Sequence, residues 1–377
     1  MRLLRSDRFP AVLLLAAATL GLIVANSPVG QAVIDLSHVH VGIAPLDLSI
    51  AHWVSDGLLA IFFFSVSVEL QFELTRGELR SPKRAALPAI AAAGGVLVPI
   101  AVYLAVAAPA GLAQGWPVPT ATDIAFALGV LAVFGRGLPS GVRVFLLALA
   151  ILDDIVGIVF IAVLFATDLD GVMLLLALLA AAGFAIVSRV MGERVRPWMV
   201  VALIVLGVAT WVLVYLSGVH ATIAGVVLGL AMAQSPALIA RHTLEPWING
   251  VVLPLFAFLA ALVVIPAAGT GLSPVFWGIA VALPIGKLVG IAGAGWIGQR
   301  LLGGPRIAFG DLAAAGALGG IGFTVSLLLA GLAFASDAGL RDQAILGVLA
   351  GSLVALVAAA VLVSLRARHH RSMEIDA

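Results

Sequence analysis

Apolar runs of roughly 20 residues recur along the chain, separated by short connections in which the charged residues collect. The hydrocarbon core of a bilayer is about 30 Å thick and takes ~20 helical residues to cross. On that measure the runs predict twelve membrane spans, starting near residues 10, 54, 86, 119, 143, 171, 198, 219, 247, 275, 309 and 343. The polar positions check the count independently, because Lys and Arg gather on connections that face the cytoplasm. With the N-terminus inside, alternate connections take up Arg2, Arg5, Arg8, Arg76, Arg80, Lys83, Arg84, Arg136, Arg143, Arg189, Arg194, Arg196, Arg241, Arg300, Arg306, Arg366, Arg368 and Arg371. Of the 20 Lys and Arg, Arg341 alone falls outside and Lys287 alone falls within a span. A missed or invented helix would scramble this alternation, so both termini are expected in the cytoplasm.

Two spans break the pattern. The fourth, PTATDIAFALGVLAVFGRG, has a short apolar stretch, Ile124 to Phe134, with Pro119, Thr120, Thr122 and Asp123 before it and Gly135 and Arg136 after it. The eleventh, GALGGIGFTVSLLL, carries Gly316, Gly319, Gly320 and Gly322, a density that disfavours continuous helix and permits close backbone approach. Helix ends at mid-membrane depth are tolerated where they line a site, and broken spans in corresponding places of two halves point to an inverted-repeat transporter. The expected fold class is therefore an all-α polytopic membrane protein of twelve transmembrane helices. Its inverted repeats would be spans 3–5 and 10–12, with helices 4 and 11 discontinuous. The outside connection from Pro28 to about His52, containing VHVGIAPLDLSI, reads either as a short hairpin or as an ordinary exposed loop.

Composition agrees. Hydrophobic residues are 63% of the 377, charged residues 10%, and the mean hydropathy is +1.20. No stretch between spans is long enough for a soluble domain, so residues 1–377 are read as one integral membrane domain whose function lies within the bilayer. Arg2, Arg5 and Arg8 before FPAVLLLAAATLGLIVANS resemble the start of a signal peptide. The apolar stretch is long for one and no convincing cleavage site follows, so it is read as the first span. The absence of cysteine excludes disulfides, a thiol nucleophile and thiolate metal sites.

The ionisable residues inside spans then stand out: Asp123, Asp153, Asp154 and Lys287, with Asp56 and Glu69 nearer the ends of the second. Asp153 and Asp154 sit near the bilayer centre, where each acid costs on the order of 3 kcal/mol. Asp123 and Lys287 also suit a purely architectural role, since a half-helix N-terminus favours an anion and a C-terminus a cation. For the paired acids that role is weaker, because adjacent helical positions point ~100° apart and one lysine cannot satisfy both. Two carboxylates sharing a site are not both cheaply ionised unless a cation joins them. A hard monovalent cation between them, helped by oxygens such as the Thr122 hydroxyl, would expel protons. Proton and cation then compete for the same oxygens, and exposure of the site to alternate sides completes an antiport cycle. Divalent cations usually gather more carboxylates and carbonyls than are present here.

Five motifs, ATDIAFALGVLA (Ala121–Ala132), LALAILDDIVGI (Leu147–Ile158), SGVHATIAGV (Ser217–Val226), LPIGKLVGI (Leu283–Ile291) and GGIGFTVSL (Gly319–Leu327), occur in the order in which the NhaA family of bacterial sodium/proton antiporters has them. The chain resembles that family over almost its full length. The resemblance implies that Asp154 is the principal cation ligand and that Asp153 beside it carries a proton or pairs with Lys287. It also places Asp123 and Thr122 at a crossing of the broken helices marked by Gly319, Gly320 and Gly322. There Asp123 balances helix N-termini and Lys287 balances C-termini. It implies electrogenic, pH-regulated exchange in a bacterial cytoplasmic (inner) membrane and a homodimer contacting through residues 28–52. Neither a cofactor nor a nucleic-acid partner is implied; the lipid bilayer is the expected surrounding.

The resemblance also exposes departures. Glu69 and Glu73 match acids of the family's cytoplasmic pH-sensing face, but Gln71 and Phe72 stand where basic residues are usual. In ARHTLEPW, His242 is retained, Glu245 replaces a frequent histidine and Arg241 a frequent acid. After LPLFAF, the residues Leu259, Ala260, Ala261 and Leu262 replace a stretch that usually holds an asparagine and a glycine. His220 in SGVHAT is read as a capping or packing residue, and the terminal RARHHR as a solvated, lipid-facing tail. Rival functions are a cation-coupled organic solute carrier of the same fold, which needs a roomier polar cavity, and an intramembrane aspartyl enzyme. The second would need acids from two facing helices, whereas Asp153 and Asp154 are neighbours on one.

Overall fold

The structure is a computed structural model that describes residues 9–166, 168–192, 196–266, 271–303 and 307–375; Arg2, Arg5, Arg8, Arg194 and Arg306 of the charge pattern lie outside these. Among the described residues, eight continuous helices are long and apolar enough to cross a bilayer: Ile50–Thr75, Pro82–Ala110, Ser140–Leu164, Gly171–Met191, Pro197–Leu216, Gln234–Ala260, Pro274–Leu302 and Ala338–Met373. Two further spans are broken, Ala113–Thr120 with Ile124–Phe134 bent by 40°, and Phe309–Gly319 with Phe323–Ala333 bent by 50°. With the first helix, Phe9–Ala25, and the shorter apolar helix Thr222–Ala231, these are the twelve spans in the expected order.

Local chemistry sets many of the boundaries. The Asp170 carboxylate accepts from the backbone N–H of Val172 and Met173 at 2.8 and 3.1 Å and starts the helix Gly171–Met191. Gly192 and Gly303, at φ of 53° and 68°, stop two helices in the region that only glycine enters freely. The ninth span begins at Gln234, well before the predicted 247, because the stretch Gln234–Trp247 is helical but too polar to register as a membrane segment. The eighth, at ten residues, covers only about half the hydrocarbon thickness.

The connection between the first and second spans folds as the helix Gly30–Ser37 followed by strands β1 (His40–Val41) and β2 (Leu48–Ser49), paired antiparallel with Val41 opposite Leu48. The Trp53 indole donates to the Val41 carbonyl at 2.7 Å and holds this hairpin to the start of the second span.

The chain divides into two compact units. The described residues of Ala17–Gly77 and Ile158–Leu262 form one, holding spans two and six to nine. Those of Ser6–Ala16, Glu78–Gly157 and Val263–Ala377 form the other, holding spans three to five and ten to twelve. Each triplet of the second unit runs continuous, broken, continuous, and a chain that crosses at every span enters its third and tenth from opposite sides. This is the inverted repeat. The two triplets meet at the third and tenth spans, where Gly94 and Gly290 face each other and the carbonyl oxygen of each occupies the place where a Cβ of the other would stand. Without a hydrophobic force between helices in lipid, such small-residue contacts let backbones pack directly.

Candidate functional site

Both breaks lie in one unit, and Asp123 joins them. Its Oδ1 accepts from the Phe126 N–H at 3.1 Å, capping the half-helix Ile124–Phe134. Its Oδ2 accepts from the Thr324 N–H at 3.1 Å and the Thr324 hydroxyl at 2.8 Å, closing the start of Phe323–Ala333. One carboxylate therefore serves two half-helix N-termini, each presenting N–H groups that no helical carbonyl can reach. The Asp123 N–H donates to the Ile321 carbonyl at 2.6 Å, and the Ser352 hydroxyl accepts from the Phe323 N–H at 3.2 Å. Gly320 and Gly322 have negative φ, so what they supply at the break is room: a Cβ on Gly320 would stand 2.8 Å from the Leu283 carbonyl oxygen, and one on Gly322 3.1 Å from that of Ala121.

One residue before Asp123, the Thr122 hydroxyl lies 2.8 Å from the Gly319 carbonyl, the last of the half-helix Phe309–Gly319, and 2.7 Å from Asp153 Oδ2. It has one proton to give, so it donates to one of them at a time. Lys287 Nζ donates to Thr122 Oγ1 at 3.1 Å and meets Asp153 Oδ2 at 2.6 Å. Lys287 opens the second part of its span directly after a wide turn, Ala282–Gly286. In that turn Pro284 has no N–H to give the helical ladder.

The side chains of Lys287 and Asp153 are 0% exposed. An ammonium so enclosed keeps its charge only beside an anion, and removing one partner of a buried pair costs roughly 3–5 kcal/mol. Asp153 Oδ1, also buried, has no hydrogen-bond partner, so the carboxylate has acceptor capacity left over. Asp154 is half-buried and, as the next residue on the same helix, directs its carboxylate to another side. The structure thus brings together Thr122, Asp153, Lys287 and Gly319, ties Asp123 to the adjoining break, and keeps Asp154 beside the cluster. Among the described residues, no three His, Asp or Glu converge as a metal-ligating group.

The residues predicted for pH response lie in the other unit. Arg241 Nη2 meets Glu69 Oε2 at 2.8 Å, so the arginine at the departing position pairs with the retained acid. The Gln71 amide donates to the carbonyls of Leu230 and Met232 at 2.7 and 2.8 Å, covering the end of the eighth span where a basic residue is usual. Exposed His242 and half-buried Glu245 lie 3.6 Å apart, and Glu73 lies one turn beyond Glu69 on its helix. His220 Nδ1 bonds the Thr222 hydroxyl at 2.7 Å, and its Nε2 lies 3.6 Å from Asp56.

One cluster was not legible in the sequence. Asp311 is buried in the first turn of Phe309–Gly319 and is met by Arg366 Nε at 2.8 Å and His370 Nε2 at 3.0 Å. Arg366 and His370 belong to the terminal stretch expected to be solvated and lipid-facing, and for these two residues that expectation is corrected. The available signals were a lone acid in an apolar eleven-residue helix and two basic residues spaced four apart on another.

A family model described as Na+/H+ antiporter 1 matches residues 1–363. "Na(+)/H(+) antiporter NhaA 2" of Clavibacter michiganensis subsp. michiganensis is 55% identical over 379 residues, covering 98% of this chain and 93% of the relative. "Na(+)/H(+) antiporter NhaA" of Tropheryma whipplei is 44% identical over 96% of this chain and 94% of its own. Among solved structures, the sodium proton antiporter MjNhaP1 from Methanocaldococcus jannaschii superposes with a TM-score of 0.60 over 94% of this chain and 91% of that one. At 16% identity it speaks for the fold alone.

Proposed function

The chain belongs to the Na+/H+ antiporter 1 family and exchanges Na+ for H+ across a membrane, and on that premise we propose which of its groups hold the two ions. Asp154 is the principal cation ligand and alternates between Na+ (or Li+) and a proton. Asp153 alternates between a proton and Lys287, with the Thr122 hydroxyl as a further oxygen. Asp123 neutralises the half-helix starts so that the cation meets the acids and not the dipoles. The reading rests on one observation above the others: a fully enclosed Lys287–Asp153 pair at 2.6 Å with Asp153 Oδ1 unpartnered and Asp154 adjacent.

The energetics favour exchange over simple binding. Lys287 gives up Asp153 only when a proton or cation takes its place on the carboxylate and the ammonium in turn sheds its own proton or meets another anion, because an unpaired enclosed charge is too costly to persist. Two carboxylates stand against one monovalent cation, so more protons travel inward than cations outward and the cycle is electrogenic. The Lys and Arg pattern supports both termini in the cytoplasm of an inner-membrane protein. The pH response is assigned to Glu69, Glu73, His242 and Glu245, with Arg241 completing a pair to Glu69. The hairpin within residues 28–52 is the proposed homodimer contact.

Inverted vesicles with an imposed pH gradient test the site. Added Na+ or Li+ dissipates the gradient across roughly pH 6.5 to 9, a range that brackets near-neutral carboxylates, and Asp154→Asn abolishes the response. A full response from Asp154→Asn sinks the assignment.

A further inference from the structure

Beside Thr122, Asp153 and Lys287 stands an apolar side chain to which the exchange chemistry gives no part. Ile291 is 0% exposed and lies one turn beyond Lys287 on the same helix face. Its tip enters the gap between two glycines of different spans. A Cβ on Gly319 would stand 2.5 Å from Ile291 Cδ1, and one on Gly95 would stand 2.7 Å from its Cγ1 and 3.2 Å from its Cδ1. The isoleucine thus fills the room that both glycines leave. We propose that Ile291 is a positioning residue that sets cation selectivity, its Cδ1 methyl backing the Gly319 carbonyl beside Thr122. That backing fixes how closely oxygens gather around a small monovalent cation and so grades Li+ against Na+. The inference rests on the reading above, in which the cation binds at the acids with the Thr122 hydroxyl as a further oxygen.

Gly319 ends the half-helix Phe309–Gly319, so its carbonyl is one of those that helical N–H groups do not reach, and it meets the Thr122 hydroxyl at 2.8 Å. Carbonyl oxygens left over at a break in a membrane helix are ready ligands for a monovalent cation. The same hydroxyl lies 2.7 Å from Asp153 Oδ2, while Asp153 Oδ1 is buried and unpartnered. Oxygens from three elements therefore converge beside Gly319. The place its missing Cβ would take lies 3.7 Å from Thr122 Oγ1 and 3.8 Å from Leu149 Cδ2. Leu149, also 0% exposed, stands one turn before Asp153 on its helix. Each member of the ion pair thus has an aliphatic neighbour one turn away, and Ile291 and Leu149 together wall the space behind the Gly319 carbonyl.

Ions of one charge are told apart by cavity size, by the number of ligands and by how far those ligands can move. Close-packed methyls resist displacement, so a wall of them limits the movement of the oxygens in front of it. Li+ is smaller than Na+ and needs its oxygens closer. Gly319→Ala would place a methyl against Ile291 Cδ1. Either the isoleucine tip turns aside or the carbonyl advances on Thr122; both crowd the oxygens and favour the smaller ion. Ile291→Val removes Cδ1 and keeps the branch at Cβ. The carbonyl then loses its backing, the site slackens and Li+ loses more than Na+. Made together, the two changes exchange one methyl for another in nearly the same place, and the original spacing returns.

Apparent KM values for Na+ and Li+, measured in inverted vesicles at one fixed pH, test this as a ratio. Gly319→Ala should raise KM(Na+)/KM(Li+) about tenfold, the scale on which one methylene discriminates ligands in an enclosed pocket, and Ile291→Val should lower it by about as much. The double variant should return to within about threefold of the unaltered chain, as touching residues that compensate do. Gly293→Ala, on the same helix but with nothing within 4 Å of its Cβ, should leave the ratio where it was. A change that merely destabilises the protein lowers exchange of both ions together and does not move the ratio. If Gly319→Ala does not fold, as judged by a monodisperse elution peak, Ile291→Val decides. An unmoved ratio in Ile291→Val, or a double variant that adds the two defects, overturns the proposal. The two readings fail separately. If Asp154→Asn keeps its full response while the ratios move as stated, the assignment of the acids has failed and the role of Ile291 stands. If Asp154→Asn abolishes the response and no ratio moves, the reverse holds.

Discussion

Asp153 and Asp154 differ by one position on a helix, and that difference of ~100° decides their partners. Asp153 faces Lys287 at 2.6 Å inside the protein, while Asp154 stays half-buried. Replacing Asp153 by leucine leaves Lys287 enclosed with no anion, and thermal unfolding in detergent should show a loss of about 3–5 kcal/mol. The double variant Asp153→Leu with Lys287→Leu should recover most of that loss while remaining inactive in vesicles. A double variant no more stable than the single would mean that the ion pair is not what keeps Lys287 in place. Asp123 serves two helix ends, so Asp123→Ala should cost roughly 1–4 kcal/mol, and Asp123→Asn should recover only part of it, because the amide oxygen can cap one end while the NH2 cannot accept from the N–H of the other. The acids were legible as residues because each interrupts an apolar run. Their partners were not, since Lys287 lies 134 positions from Asp153 and Thr324 201 from Asp123. Asp311 escaped notice because an acid in a helix's first turn looks like an ordinary dipole match, whatever else it touches.

At the scale of elements, the two broken spans follow from opposite causes. The fourth breaks where the chain turns extended at Ala121, after Thr120, and Asp123 starts the next piece. The eleventh breaks where glycines admit neighbouring backbone that any side chain would exclude. The tenth span stays continuous but carries a wide turn at Ala282–Gly286, which the pattern of apolar positions did not reveal because it alters hydrogen bonding and leaves hydropathy unchanged. The crossing of the third and tenth spans depends on Gly94 and Gly290. Gly290→Val should push them apart and lower stability by roughly 1–3 kcal/mol, the usual scale of overpacking, and should slow exchange through the displaced Lys287. Unchanged unfolding and exchange would show that the backbones do not need this approach.

At the scale of the whole molecule, the assigned orientation makes a direct prediction. The chain has no cysteine, so single introduced thiols report sidedness without further changes. Val41→Cys, exposed in the hairpin, should react with a membrane-impermeant maleimide in whole cells, and Ser140→Cys should react only in inverted vesicles. The reverse pattern would overturn the orientation. Oxidation of Val41→Cys to a disulfide-linked dimer would support the hairpin contact, and persistent monomer under oxidant would count against it. What the sequence by itself determined was the membrane class, the twelve spans, the places where two of them break and the acids at the centre. Each of these is written in local composition, because a bilayer taxes polarity position by position. The pairing of Lys287 with Asp153, the service of Asp123 to two helix ends, the pairing of Glu69 with Arg241 and the meeting of Asp311 with Arg366 and His370 were decided by tertiary structure. They join residues far apart in the chain, and such contacts exist only once the helices have packed.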